Sequence, residues 1–184
     1  MSLEVVPLAI PDVKLIMPKR FGDARGVFHE SWQKERYEAA GLVFDFVQDN
    51  LSFSKQAGTI RGLHFQRSPF AQTKLVMVPQ GRIFDVAVDL RENSPTFGKW
   101  VSTELSSEDG YQLLVPQGFA HGFCTLESDT TVLYKVDAYY SPKHEGGIIW
   151  SDPELGINWP VDDAGVVLSA KDSILERFSP KVKP

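Results

Sequence analysis

The chain has a single cysteine, Cys124, so it can form neither an internal disulfide nor a cysteine-ligated metal cluster. A reducing compartment, the cytoplasm, is the expectation that follows. A long apolar run is also missing. Nothing approaches the roughly 20 residues of a membrane-spanning helix, and Met1 to Asp12 lack the basic-then-apolar order of a signal peptide. Basic runs are absent as well: 19 Lys and Arg stand against 24 Asp and Glu, a net charge of -5. That balance argues against a general nucleic-acid binder, yet leaves room for a small anionic ligand held by a few placed cations. Strands do not alternate with long helices, which excludes a doubly wound parallel sheet. No repeat, low-complexity stretch or linker divides the 184 residues, so one domain is expected. A chain of that length buries roughly 70% of its unfolded surface and needs no staple.

What is present is a series of short β-forming runs: Val13 to Met17, Gly26 to Trp32, Phe44 to Phe53, Thr59 to Gln66, Lys74 to Val78, Arg82 to Leu90, Trp100 to Leu105, Tyr111 to Val115, Phe119 to Leu126 and Thr130 to Tyr140. Turn formers such as Gln80-Gly81, Asn93-Ser94-Pro95 and Gln117-Gly118 separate them. That spacing predicts an all-β sandwich or barrel. Good helix formers place one helix over Gln33 to Ala40, closed by Gly41, and a second short one is expected over Lys171 to Phe178.

Side chains alternate between the two faces of a strand. Phe119, His121, Phe123 and Thr125 therefore share one face, and Lys74 shares a face with Val76 and Val78. Tyr134 lies with Val132 and Val136, and Gln48 lies with Asn50, with Phe46 beside them. Singly, a histidine, lysine or tyrosine in such a place is an ordinary structural residue. Together, His64, Lys74, His121 and Tyr134 make an interior too polar to be only a core, and convergent titratable groups mark a site. Arg61 and His64 fall on opposite faces by parity, so a bulge or bend at Gly62 is needed if both are to reach one ligand.

The segments running from Gly58 to His64 and from Gly110 through Pro116-Gln-Gly-Phe-Ala to His121 resemble the two motifs of the cupin superfamily, a jelly-roll barrel. In metal-binding cupins the first motif supplies His-x-His and a glutamate. Here Gln66 replaces the second histidine, and Phe70 and Ala71 stand in the glutamate's place. A tight divalent site needs at least three protein donors, so the chain reads as a metal-free cupin.

Longer runs narrow the resemblance. Phe21-Gly-Asp-Ala-Arg-Gly-Val-Phe-His-Glu30, Gln48-Asp-Asn50, Arg61-Gly-Leu-His-Phe-Gln66, Gln72-Thr-Lys74, Asp85-Val-Ala-Val-Asp-Leu-Arg91, Thr96-Phe-Gly-Lys-Trp100, Tyr134-Lys135, Glu145-Gly-Gly-Ile148, Trp150-Ser-Asp-Pro153 and Leu168-Ser-Ala-Lys-Asp172 resemble the dTDP-4-dehydrorhamnose 3,5-epimerase family over nearly the whole chain. His29 and Met77 depart from its usual apolar residue and arginine, and neither removes a chemical group the reaction needs.

The resemblance implies a jelly roll with one or two short peripheral helices and epimerisation at C3 and C5 of a dTDP-4-keto-6-deoxysugar, with no cofactor. It also implies roles. His64 is the base and Asp172 its orienting partner, Tyr134 is the acid on the opposite face, and Lys74 with His121 stabilises the enolate oxygen. Arg25, Glu30, Gln48, Asn50, Arg61, Glu145 and Lys171 line the substrate site. A homodimer is expected, with Val13 to Met17 pairing with a sheet edge of the partner. Two alternatives stay open: an epimerase acting at C3 or C5 alone, and a cupin that binds a sugar nucleotide without turnover.

Overall fold

The computed structural model describes residues 3–180 and Pro184. The short β-branched and aromatic runs pair into two antiparallel sheets facing one another. In spatial order the first holds β1 (Leu3–Pro7), β2 (Lys14–Pro18), β10 (Gln112–Val115), β7 (Lys74–Gln80), β12 (Thr130–Val136) and β5 (Gln48–Ser54). The second holds β13 (Glu145–Gly147), β6 (Ile60–Gln66), β11 (Phe119–Thr125), β8 (Arg82–Asp89) and β9 (Trp100–Ser106). A separate hairpin, β3 (Arg20–Asp23) with β4 (Gly26–His29), and one helix, α1 (Lys34–Ala39), complete the regular structure of the described residues with two 3₁₀ turns. The jelly-roll expectation is met.

Alternation sorts each strand as its sequence requires. Val76, Val78, Leu113, Val115 and Val132 from the first sheet meet Ile83, Ala87, Val101, Leu105, Phe119 and Phe123 from the second in one interior cluster. The opposite faces are covered separately. Leu63, Phe65, Val86, Val88 and Ala120 lie under Ile148 and Leu155, joined by Ile157, Trp159 and Phe178 of the C-terminal segment. Ile16, Leu75 and Leu114 lie under Tyr37 and Leu42 beside α1. Gln33 caps α1 by accepting from Arg36 N at 2.6 Å, and the buried Tyr37 hydroxyl donates to Gln112 Oε1 at 2.6 Å, fixing the helix to β10.

Several sequence expectations need correction. The strand expected from Phe44 starts only at Gln48, because Phe44 and Phe46 pack with Trp32 in the α1 cluster; Phe46 is therefore not beside Gln48 and Asn50 on their face. The strand from Thr130 ends at Val136 rather than Tyr140, and the strand from Gly26 ends at His29 rather than Trp32. Of the helix expected over Lys171 to Phe178 only a 3₁₀ turn, Asp172–Ile174, forms. Leu175 is extended, and the segment bonds across the chain instead: Ile149 N donates to Glu176 O at 2.8 Å and Phe178 N to Asp152 Oδ2 at 2.8 Å. Strands β1, β3 and β13 were not foreseen. Because β1 and β10 occupy both edges of β2, the Val13 to Met17 run has no free edge to offer a partner; the sheet ends at β1 and β5.

Candidate active site

The polar interior is built by register. On β11, His121 pairs with Ala87 of β8, which sets Asp85, two residues away on the same face, diagonally beside it. His121 also pairs with His64 of β6, whereas Phe123 pairs with Arg61, so the register slips by one residue between the two pairs. The bulge expected at Gly62 is therefore present. It lets Arg61 and His64 share the interior face. Gly62 has φ 135°, and a Cβ there would lie 2.5 Å from Gly122 Cα, so the close approach of β6 to β11 requires glycine at this position.

The facing sheet supplies the rest. Tyr134 of β12 pairs with Val76 on one side and Asn50 on the other, and Val136 pairs with Lys74 and Gln48. Lys74, Tyr134, Gln48 and Asn50 thus form one patch looking across the interior at His64 and His121. A cavity of about 430 Å³ lies against this cluster, lined by His64, Lys74, His121, Tyr134, Arg61, Lys171 and Asp172 among others. A niche of about 90 Å³ adjoins it, sharing His64, Lys74 and Tyr134 and adding Gln48, Asn50, Gln66, Gln72, Glu145 and Tyr140 among others.

Ten of the twelve residues singled out from the sequence therefore line one connected space. Arg25 and Glu30 do not: Arg25 is exposed on the β3–β4 hairpin and pairs with Asp23 at 2.6 Å, and Glu30 pairs with Arg36 at 2.8 Å.

The hydrogen bonds define each group's state. His64 Nε2 lies 2.7 Å from Asp172 Oδ1. Burial pushes the Asp172 carboxyl up, but the bond to His64 and its charge, with Ser169 and the Gly62 N–H, outweigh burial and hold it below the usual carboxylate range. An ionised Asp172 accepts the proton on Nε2, which leaves the lone pair of His64 on Nδ1.

His121 Nε2 lies 2.6 Å from Asp85 Oδ1, and both are buried. Burial lowers the His121 pKa, only partly opposed by Asp85, with Lys74 and His64 lowering it further, so the ring is neutral. Lys74 donates to His64 O at 3.2 Å, and burial brings its pKa down to about 8 against the pull of Asp85 and Glu145. Burial raises the Tyr134 pKa, with Arg61 the counterweight, so the phenol keeps its proton.

Around the rim, Arg61 donates to Ser54 Oγ at 3.1 Å and Phe53 O at 2.9 Å, which ties β6 to β5. Glu145 takes Lys171 at 2.6 Å and the Tyr140 hydroxyl at 2.9 Å.

Comparison with known proteins identifies the family. The sequence profile of the dTDP-4-dehydrorhamnose 3,5-epimerase family matches residues 7–179. The chain belongs to that family. It is 57% identical over 170 residues to the dTDP-4-dehydrorhamnose 3,5-epimerase of Sinorhizobium fredii, covering 90% of this chain and 85% of that one. It superposes with a TM-score of 0.93 at 54% identity on the Bacillus anthracis dTDP-4-dehydrorhamnose 3,5-epimerase crystallised with TDP and PPi, covering 96% of this chain and all of that one. The Legionella pneumophila enzyme in complex with dTDP-4-keto-L-rhamnose gives a TM-score of 0.91 at 46% identity, covering 96% of this chain and 93% of that one.

Sequence reasoning missed Asp85, which bonds His121, and Tyr140, which lines the niche. Asp85 carried a usable signal, because it stands in register with Ile83 and Ala87 inside an apolar strand, where a carboxylate needs a partner. Tyr140 carried none, since it was assigned to a strand that ends four residues earlier.

Proposed function

We propose that the chain inverts C3 and C5 of dTDP-4-dehydro-6-deoxy-D-glucose to give dTDP-4-dehydro-L-rhamnose. The observation that carries the reading is the placement of His64 and Tyr134 on facing sheets, both lining the same space. The C4 ketone acidifies the protons on C3 and C5. A sugar ring held between the sheets presents one face to His64 Nδ1, which takes the proton, and the other to the Tyr134 hydroxyl, which returns one. Asp172 holds the imidazole in the required tautomer and stabilises the imidazolium once it forms.

The enolate oxygen needs a donor in a site shielded from water, and Lys74 is the buried cation available. His121 suits a different task from the one the resemblance implies. With its N–H committed to Asp85 and its ring neutral, it offers Nδ1 as an acceptor, fit to orient Lys74 or a sugar hydroxyl. The ketone supplies the activation, so no step calls on a redox cofactor or a metal. Arg61 and Lys171 stand where a pyrophosphate can be met through charge-assisted bonds.

A homodimer belongs to the same reading. The β5 edge is unpaired and carries exposed Leu51 and Phe53, and the β3–β4 hairpin presents Val27 and Phe28, 55% and 64% exposed, beside Arg25. Docked on a second copy, that hairpin would bring Arg25 toward a site it does not reach in its own chain. Light scattering is expected to give twice 20.6 kDa, and a monomer at micromolar concentration would contradict it.

The reaction is tested by incubating the protein with the 4-keto sugar nucleotide in deuterated water. Deuterium at both C3 and C5 is expected. Label at one centre would make it a mono-epimerase, and binding without label a non-catalytic sugar-nucleotide protein.

A further inference from the structure

We propose that Gln66, at the position where metal-binding cupins carry a histidine ligand, is a positioning residue that clamps the segment after β12 and so holds Tyr140 in the wall of the niche. Gln66 is 4% exposed and its amide is fully committed to backbone. Nε2 donates to Phe70 O at 2.7 Å and Tyr139 O at 3.2 Å, while Oε1 accepts from Ser141 N at 2.6 Å.

Two more glutamines act on the same segment. Gln72 Nε2 donates to Ala138 O at 2.8 Å, and Gln48 Oε1 accepts from Tyr140 N at 3.0 Å. Each residue from Ala138 to Ser141 therefore has a backbone group held by a glutamine side chain, in a stretch without regular secondary structure.

Such a stretch would otherwise lose backbone entropy whenever it ordered around a ligand. Held in advance, it presents Tyr140 and, through the Tyr140 hydroxyl, Glu145 as a fixed wall. Gln66 and Gln72 line the niche themselves, but the hydrogen bonds of Gln66 all run to backbone and none reaches His64, Lys74 or Tyr134. Its effect should consequently fall on substrate binding and leave the proton transfers alone.

The inference rests on the epimerase reading, and a double-mutant cycle with Tyr140 tests it apart from that reading. Gln66→Met removes the amide while keeping volume. With the 4-keto sugar nucleotide as substrate it should raise KM about tenfold, the worth of about one or two net hydrogen bonds, with kcat within about twofold. In a Tyr140→Ala background the same change should raise KM by less than about twofold, because the side chain it positions is gone.

Equal factors in both backgrounds, or a fall in kcat with KM unchanged, would overturn the proposal. If Gln66→Met does not fold, Gln72→Met takes its place in the cycle with an expected rise in KM of about threefold from one bond. A wild-type protein that turns over while both factors stay at one defeats the inference alone. A wild-type protein without turnover defeats the epimerase reading and the inference with it.

Discussion

Two histidine–carboxylate pairs face the same cavity and are built in opposite ways. His121 and Asp85 lie on adjacent strands of one sheet, both buried, their contact fixed by strand register. His64 is on the neighbouring strand with a side chain 29% exposed, and its partner Asp172 arrives 108 residues later on an irregular segment that crosses the sheet. The buried pair is an inseparable part of the sheet, and the rim pair is assembled by a strap. On the proposed reaction, the base that must meet substrate and exchange protons sits at the accessible pair, whereas the inaccessible pair sets the electrostatics around Lys74.

The largest break in that comparison is expected from His64→Ala, which should lose both isotope exchange and product by about 10²- to 10⁴-fold, the worth of a positioned general base. Retained exchange in that variant would move the base to another residue.

The two carboxylates are expected to respond differently to amide substitution. Asp172→Asn should lower kcat by up to about 10⁴-fold, since an amide no longer enforces the tautomer, while leaving the alkaline limb of the pH–rate profile in place. Asp85→Asn should do the reverse. The carboxylate is one of two charges that hold the Lys74 pKa up, so its loss should move the alkaline limb below about 8 with a smaller drop in kcat at neutral pH. If both variants shift the limb alike, the two pairs are not functionally distinct.

The smallest effect concerns stability. Lys74 titrates at about 8 folded against 10.5 for the ordinary side chain, so between those values the unfolded chain binds more protons. Stability should consequently rise as pH increases from about 8 to 10.5, while activity, which needs the ammonium, falls across the same range. Lys74→Met should remove that rise and raise the denaturant midpoint most at neutral pH, where the burial cost is fullest, at the expense of turnover.

Much of this was legible in the sequence, for physical reasons that differ by residue. Two-residue alternation placed His121, Lys74 and Tyr134 on interior faces, because a face buried in one register is exposed by a slip of one. The same parity, failing for Arg61 and His64, located the bulge at Gly62. Asp172 was reachable only through family resemblance, since no local rule brings residue 172 to residue 64. The strap was misread as a helix because its propensities are helical, while its backbone bonds are taken by Ile149 and Asp152. The loop at Tyr140 was hidden for a related reason: its order comes from three glutamine side chains 66 to 92 residues before it in sequence, which propensity cannot register.

The proposed inversion needs the base and the acid on opposite sheets, and Tyr134→Phe in deuterated water tests that arrangement most directly. With substrate binding shown intact by KM, His64 should still form the enolate and return a proton to the face it came from. The variant is then expected to wash deuterium into the sugar at a rate near wild type, with inversion down by about 10²-fold or more. Exchange and inversion lost in equal measure would show that the Tyr134 hydroxyl is already required to form the enolate, and would contradict the assignment of acid and base to the two sheets.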